Sequence, residues 1–312
     1  MTEDIFGICK DNAESQLSIM RHVAQELFGN RDDLIIGVNG SVARREYTSG
    51  SDVDHFFLST VCSCADLSKE ESDFRQALEA KGLRMPAADG VFEGSLFKDK
   101  LLSPIGGEDD TNKTLTRRML FLLEGEWIFN QEAFEGLRES LISTYLSNGV
   151  EDEKLALYLL NDIIRYWRTI CVDFEYKTSD GKKPRALRLA KLRMSRMLLC
   201  FAGFVAVSNA VNMPLDAKRR HLVELFSRHA IDRMDTLLDS KFSSAKDMYG
   251  QFLSKLDNKE FREALNQEGA EGMDTSEYRE MGQLARSFKE ELVNILLADR
   301  NSNEQVIKAI LL

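Results

Sequence analysis

Long apolar runs are missing from this 312-residue chain. A helix that spans a bilayer needs about 20 mostly apolar residues. The most apolar stretch, Met197 to Val207, falls well short and reads as a helix packed inside a helical domain. No membrane partner is expected. The start, Met-Thr-Glu-Asp, lacks the basic residues and apolar segment of a secretory leader. Cysteine is sparse: Cys9, Cys62, Cys64, Cys171 and Cys200 are scattered and odd in number, and Cys62 with Cys64 is too isolated for a zinc site. Reduced thiols and a cytoplasmic location are the expectation. Only four prolines interrupt the chain, which suits a compact array of helices. Positive charge is in deficit, giving a net charge of −10. That argues against a general nucleic-acid coat without forbidding a local basic groove. Fixed-period repeats and low-complexity linkers are also lacking.

What is present is an ordinary soluble composition, 43% hydrophobic and 29% charged, long enough for one large domain or two medium ones. Apolar residues Ala13, Leu17, Met20, Val23, Ala24 and Leu27 recur at helical spacing and predict a helix over 12–28. Leu34 to Val38 is a short buried strand. A second strand follows around Asp52 to Leu58, then a helix capped by Asp66 or Ser68 and stopped at Gly82. Val91 to Phe97 reads as another strand. The loop Ile105-Gly106-Gly107-Glu108-Asp109-Asp110 precedes a helix with Leu115, Met119, Leu122 and Leu123 on one side. From about residue 131 the pattern is helical throughout, with segments near 132–147, 152–177, 186–212, 215–229, 244–268, 275–299 and 302–311. The fold class is therefore α+β, with a small mixed-sheet domain over 1–130 and an all-helical domain over 131–312.

The chemistry concentrates in Asn39-Gly40-Ser41-Val42-Ala43-Arg44-Arg45-Glu46-Tyr47-Thr48-Ser49-Gly50-Ser51-Asp52-Val53-Asp54-His55. It reads as a strand ending in Gly-Ser, a short helical turn, a polar loop and a second strand. Strand side chains alternate, so Asp52 and Asp54 share one face while Val53 points into a core. His55, next to Asp54, faces the Val53 side and is read as a packed histidine. Two carboxylates beside a Gly-Ser turn make a site for a metal-bound triphosphate. The alternative is a polar turn followed by an edge strand with two solvated aspartates.

Gly40-Ser41, ten residues, then Asp52-Val53-Asp54 between apolar strand residues resembles the nucleotidyltransferase signature of the DNA polymerase β superfamily. The similarity is closer to its bacterial branch near the uridylyltransferase-type regulators of nitrogen metabolism, whose signature continues as Arg44, Arg45 and Glu46 do here. Thr116 to Gly125 looks like the helix that follows the catalytic sheet in those proteins. The match covers roughly residues 34–130. It implies that Asp52 and Asp54 hold Mg²⁺, or Mn²⁺ in its place, and that Gly40 and Ser41 hold the phosphates of a nucleoside triphosphate. A third carboxylate from a neighbouring strand is usual in the superfamily. Glu93 is preferred because it falls on an expected strand, and Asp110 is the other candidate, although a helix N-cap would account for it.

Arg44 and Arg45 lie close enough after the turn to reach phosphate oxygens. Equally, they suit structural pairs with Glu46 or a loop aspartate. In the helical half, Asn161, Asp162, Arg165, Arg168 and Lys177 interrupt a large apolar face, either as a buried polar network or as part of a basic patch. Arg188, Lys191 and Ser195 follow at i, i+3 and i+7. Residues 161–200 hold ten Lys or Arg against four Asp or Glu. Such a patch suits a triphosphate tail or an oligonucleotide, and a solvated charged face is the plainer account. Tyr158, Tyr166, Trp167 and Tyr176 can stack on bases, though aromatics at helical spacing more often form core. The resemblance implies a nucleotidyl transfer to a hydroxyl of a protein side chain or a growing oligonucleotide, in bacterial regulation, signalling or antiviral defence. The contrasting expectation is a catalytically silent binding module, such as an antitoxin or regulatory partner.

Overall fold

The structure, a computed structural model, describes residues 4–61, 66–86, 96–146, 152, 154–179, 184–268, 271–298 and 304–311. It is α+β: a four-stranded mixed sheet with helices, followed by helices alone. The chain divides into two compact units, 1–47 with 51–149, and 48–50 with 150–312. The boundary thus lies near 149 and not at 130.

In the first unit the order is α1 (Ile5–Phe28), β1 (Leu34–Asn39), α2 (Gly40–Ala43), β2 (Asp54–Ser59), α3 (Ser68–Ala80), β3 (Leu96–Phe97), α4 (Lys98–Leu102), α5 (Asn112–Leu123), β4 (Glu126–Phe129) and α6 (Gln131–Leu146). The sheet runs β3-β2-β1-β4. β1 is antiparallel to both its neighbours, and β3 is parallel to β2. Every residue of β1 is buried, as a central strand covered on both faces requires. Its Leu34, Ile36 and Val38 join Phe57 of β2 in one cluster with Leu17, Met20, Val23, Ala24 and Phe28 of α1 and Phe74 and Leu78 of α3. On the other side, Phe56 of β2 packs on Phe121 of α5 and Phe134 of α6, with ring centroids 6.2 and 6.5 Å apart. That packing is why α6, expected in the helical half, belongs to the sheet unit.

The second unit contains α7 (Leu157–Thr178), α8 (Arg185–Lys191), a π-helical turn (Leu192–Arg196), α9 (Met197–Asn209), α10 (Leu215–Ser227), α11 (Ala230–Leu238), α12 (Ser243–Asp257), α13 (Lys259–Leu265), α14 (Ser276–Ala298) and α15 (Glu304–Leu311), with short 3-10 turns at Asp239–Phe242 and Glu271–Met273. α9 carries the apolar stretch read from sequence, and ten of its residues are buried. The strip 48–50 belongs to this unit, where an Asp257 carboxylate oxygen accepts the Ser49 amide at 2.9 Å. No helix among the described residues is long and apolar enough to cross a membrane.

Three elements escaped the sequence: the five-residue α4, β4, only four residues between Gly125 and Asn130, and the nine-residue α11. α1 also begins at Ile5, a turn and more before the expected start. Of the strand expected over Val91 to Phe97, Leu96–Phe97 forms β3 and the rest lies outside the described residues.

Candidate functional site

Antiparallel pairing assembles the candidate site. β1 and β2 run in register from Leu34 opposite Ser59 to Asn39 opposite Asp54. The end of β1 and the start of β2 therefore lie side by side, however long the loop between them. Gly40 leaves β1 with φ of +76°, a conformation that glycine adopts without steric cost. An added Cβ there would stand 2.8 Å from Asp54 Oδ2. The glycine is what lets the Asp54 carboxylate lie against the turn.

β2 begins at Asp54, so Asp52 and Val53 precede the strand that was expected to carry them. Val53 is fully buried, its N–H donating to the Arg84 carbonyl at 3.0 Å, while Asp54 is exposed and Asp52 partly so. Burial and then the Asp52 charge push the Tyr47 phenol up, and Arg84 opposes them. Asp52 thus lies within electrostatic reach of Tyr47. Ser41 is partly exposed, and its hydroxyl has no hydrogen bond among the described residues.

The two arginines after the turn are engaged inside the unit. Arg44 is buried; its Nε donates to Glu46 Oε2 at 2.7 Å and its Nη1 to Glu124 Oε2. Glu124 Oε1 also accepts the Gly40 N–H at 3.2 Å. Arg45 pairs with Glu14 at 2.8 Å and Glu126 at 3.2 Å. Of the two roles read from sequence, structural pairing is the one these residues occupy.

Asp110 is likewise engaged. Its carboxylate takes both terminal nitrogens of Arg118, at 3.1 and 2.9 Å, and the Gly106 N–H at 2.8 Å. Both side chains of the pair are fully buried. The helix cap expected of Asp110 is supplied by Thr111, whose Oγ1 accepts the Thr114 N–H. Its ion pair therefore removes Asp110 from the candidates for a third carboxylate. Glu93 lies outside the described residues, as do Cys62 and Cys64.

Lys191 and Ser195 belong to the second unit. Ser195 is buried in the π-helical turn, where its Oγ accepts the Tyr249 hydroxyl at 3.1 Å, so it serves the interior of that unit. Lys191 is half-buried in the last turn of α8. Asp162 is buried within 3.7 Å of Arg165, and Tyr166 is core, whereas Tyr158 and Tyr176 are exposed. Both readings of α7 thus find residues to support them. Gly40, Ser41, Asp52 and Asp54 all belong to the first unit, where Gly40 and Asp54 are adjacent.

Sequence reasoning missed two residues beside this group. Glu124 ties the Gly40 turn to the end of α5, and its only signal was its place at the end of the Thr116–Gly125 segment. Asn39 is 3% exposed, and neither atom of its amide has a hydrogen-bond partner among the described residues. Its position immediately before Gly-Ser was the available signal.

Among the described residues no group of three or more His, Cys, Asp or Glu is placed to hold a metal. A cation here would rest on Asp52 and Asp54, completed by neutral oxygens and water. Mg²⁺ is commonly held in this way, through one or two carboxylates and phosphate oxygens. The cradle at Gly40, which a Cβ would fill, and the oxygen-only donor set fit such a group. An open pocket of about 590 Å³ lies elsewhere in the unit, lined by Arg21, Gln25, Asn30 and Trp127 among others. There the Arg21 guanidinium covers the Trp127 ring at 3.8 Å and pairs with Glu126 at 2.7 Å. The chain matches no protein-family model and no curated protein.

Proposed function

We propose that this chain is a Mg²⁺-dependent nucleotidyltransferase that moves a nucleoside monophosphate from a nucleoside triphosphate to a hydroxyl acceptor. The observation that carries the reading is the close approach of Asp54 to the positive-φ Gly40, which joins that carboxylate to the Gly-Ser turn. Asp52 and Asp54 would hold the cation. Bound there, it would neutralise charge on the triphosphate. Ser41 would donate its hydroxyl to a phosphate oxygen. The Gly40 N–H is occupied by Glu124, so the backbone share of phosphate binding falls to the amides after it, which open a helical turn and lack intrahelical partners.

The chemistry asked of the site is displacement at the α-phosphorus. The acceptor oxygen forms a new bond there, the bond to the bridging oxygen breaks, and pyrophosphate leaves. The acceptor proton passes to a carboxylate, a role for which Glu93 is the candidate. The acceptor is a protein side chain or a growing oligonucleotide, which fits regulation, signalling or defence.

Incubation with each of the four ribo- and four deoxyribonucleoside triphosphates and Mg²⁺, followed by product analysis, tests this. Pyrophosphate release with label on the protein indicates a protein acceptor; label in small products indicates an oligonucleotide or messenger. Asp54→Asn is expected to lower turnover by about a thousandfold, since it removes a charged ligand from the reacting phosphates. Turnover by Asp54→Asn and Asp52→Ala equal to wild type would sink the proposal.

The engagement of Asp110 by Arg118 favours a second reading, a module that binds a triphosphate without turning it over. That reading predicts cation-dependent thermal stabilisation by nucleotide with no pyrophosphate formed.

A further inference from the structure

We infer that Asn39 is a third cation-binding side chain of this site, supplying a neutral oxygen beside Asp54 and Asp52. The inference rests on the functional reading above. Residues directly opposite in an antiparallel pair carry their side chains on the same face, with Cβ atoms about 4.5–5.5 Å apart. Asn39 is opposite Asp54. The Asn39 carboxamide and the Asp54 carboxylate are therefore face neighbours at the end of the sheet where Gly40 begins its turn.

Three observations set the amide apart from an ordinary buried asparagine. It is 3% exposed, and both Oδ1 and Nδ2 lack a partner among the described residues. Buried amides are nearly always hydrogen-bonded, because leaving one unpaired forfeits its hydration. Asn39 also occupies the N-cap position of α2, where an asparagine normally accepts an N–H of the first turn, yet it makes no capping bond. Finally, the Gly40 N–H beside it is satisfied by Glu124, so local backbone does not use the amide either.

The charge around Asn39 selects the ligand. The Asp54 carboxylate is opposite Asn39 and the Glu124 carboxylate accepts the next N–H along the chain, so a cation is favoured over a free anion. Hard divalent cations accept carboxamide oxygens together with carboxylates. A neutral third oxygen completes more of the shell without placing a third negative charge beside two others.

The test uses the full chain and Mn²⁺ alone, with affinity followed by the loss of the free-ion paramagnetic resonance signal, and thermal unfolding recorded without metal. Asn39→Leu is expected to weaken Mn²⁺ binding by about tenfold, in the range for losing a supporting group at a metal site. Without metal it should melt no lower than wild type, because the amide it replaces has no partner to lose. Asn39→Asp, nearly isosteric, should bind Mn²⁺ more tightly than wild type. Unchanged affinity in Asn39→Leu, a lowered metal-free melting temperature in that variant, or no tightening in Asn39→Asp would each overturn the inference. Absence of Mn²⁺ binding in wild type would instead remove the cation role of Asp52 and Asp54 itself, so the two failures are distinguishable.

Discussion

Two buried ionic clusters in the first unit use the same residue types and end in opposite conditions. Around Arg118 the groups match: Nη1 and Nη2 meet the two oxygens of Asp110, Nε meets the Tyr145 hydroxyl at 2.8 Å, and Gly106 adds an N–H. Around Arg44 one guanidinium faces two carboxylates, Glu46 and Glu124, and Glu46 Oε1 has no partner among the described residues. The orphaned Asn39 amide stands next in the chain to Gly40, whose N–H joins that second cluster. A matched cluster fixes architecture, because each group already has what burial took from it. The second cluster leaves one Glu46 oxygen and the nearby Asn39 amide without partners among the described residues, and the amide is what the proposed cation would use.

The sharpest way to break this comparison is to unbalance the matched cluster. Arg118→Met should cost about 3–5 kcal/mol of stability, the usual consequence of leaving a buried charge unpaired. Urea denaturation measures it. Replacing both partners, Arg118→Met with Asp110→Leu, should recover most of the loss. A single variant that costs under about 1 kcal/mol would show that the pair is not the closed unit described.

A second prediction concerns an orphan of a different kind. His55 sits on the opposite face of β2 from Asp54, edge-on to Phe57 and Phe74, and neither ring nitrogen has a hydrogen-bond partner among the described residues. Burial pushes it down from 6.5 to about 4, Arg75 adds to that, and the Val53 backbone opposes it. Because the folded value lies below the unfolded one, the unfolded chain takes up the proton first as pH falls. Stability should therefore be intact above pH 6.5, decline between about 6.5 and 4, and lose about 3 kcal/mol over that window from this group. His55→Leu should remove that component of the slope in parallel denaturation curves. Identical slopes would place the ring in a less enclosed setting.

How much of this was legible follows from what each feature depends on. The Gly40-Ser41 turn at the end of β1 and the strand that starts at Asp54 could be read because they are local: a strand end and a turn suffice. The α+β order could be read because helical periodicity is continuous beyond residue 131. The fate of Arg44 could be read only as a pair of alternatives, since Glu46 lies two residues away but Glu124 lies eighty away. Asp110 looked available because its partner Arg118 and the Tyr145 hydroxyl are brought to it by α5 and α6 packing. Asn39 was silent because its lack of a partner is a property of the whole fold. β4 is too short to show a period, and α6 was placed with the wrong unit because helical spacing does not say what its apolar face meets.

The smallest expected effect on stability separates backbone strain from the site. Gly40 and Gly82 have nearly the same φ, +76° and +84°, yet a Cβ on Gly82 meets nothing within 4 Å while one on Gly40 meets the Asp54 carboxylate. Left-handed backbone costs an L residue about 1–2 kcal/mol. Both Gly40→Ala and Gly82→Ala should lose roughly that much, with the collision at Gly40 relieved by displacement of the exposed Asp54 side chain. The two variants should then part company. Thermal stabilisation by Mn²⁺ with a nucleoside triphosphate should persist in Gly82→Ala and be lost in Gly40→Ala, because only the latter moves a ligand. If both variants keep the response, Asp54 does not need the cradle that Gly40 provides, and the turn and the carboxylates are neighbours without being one site.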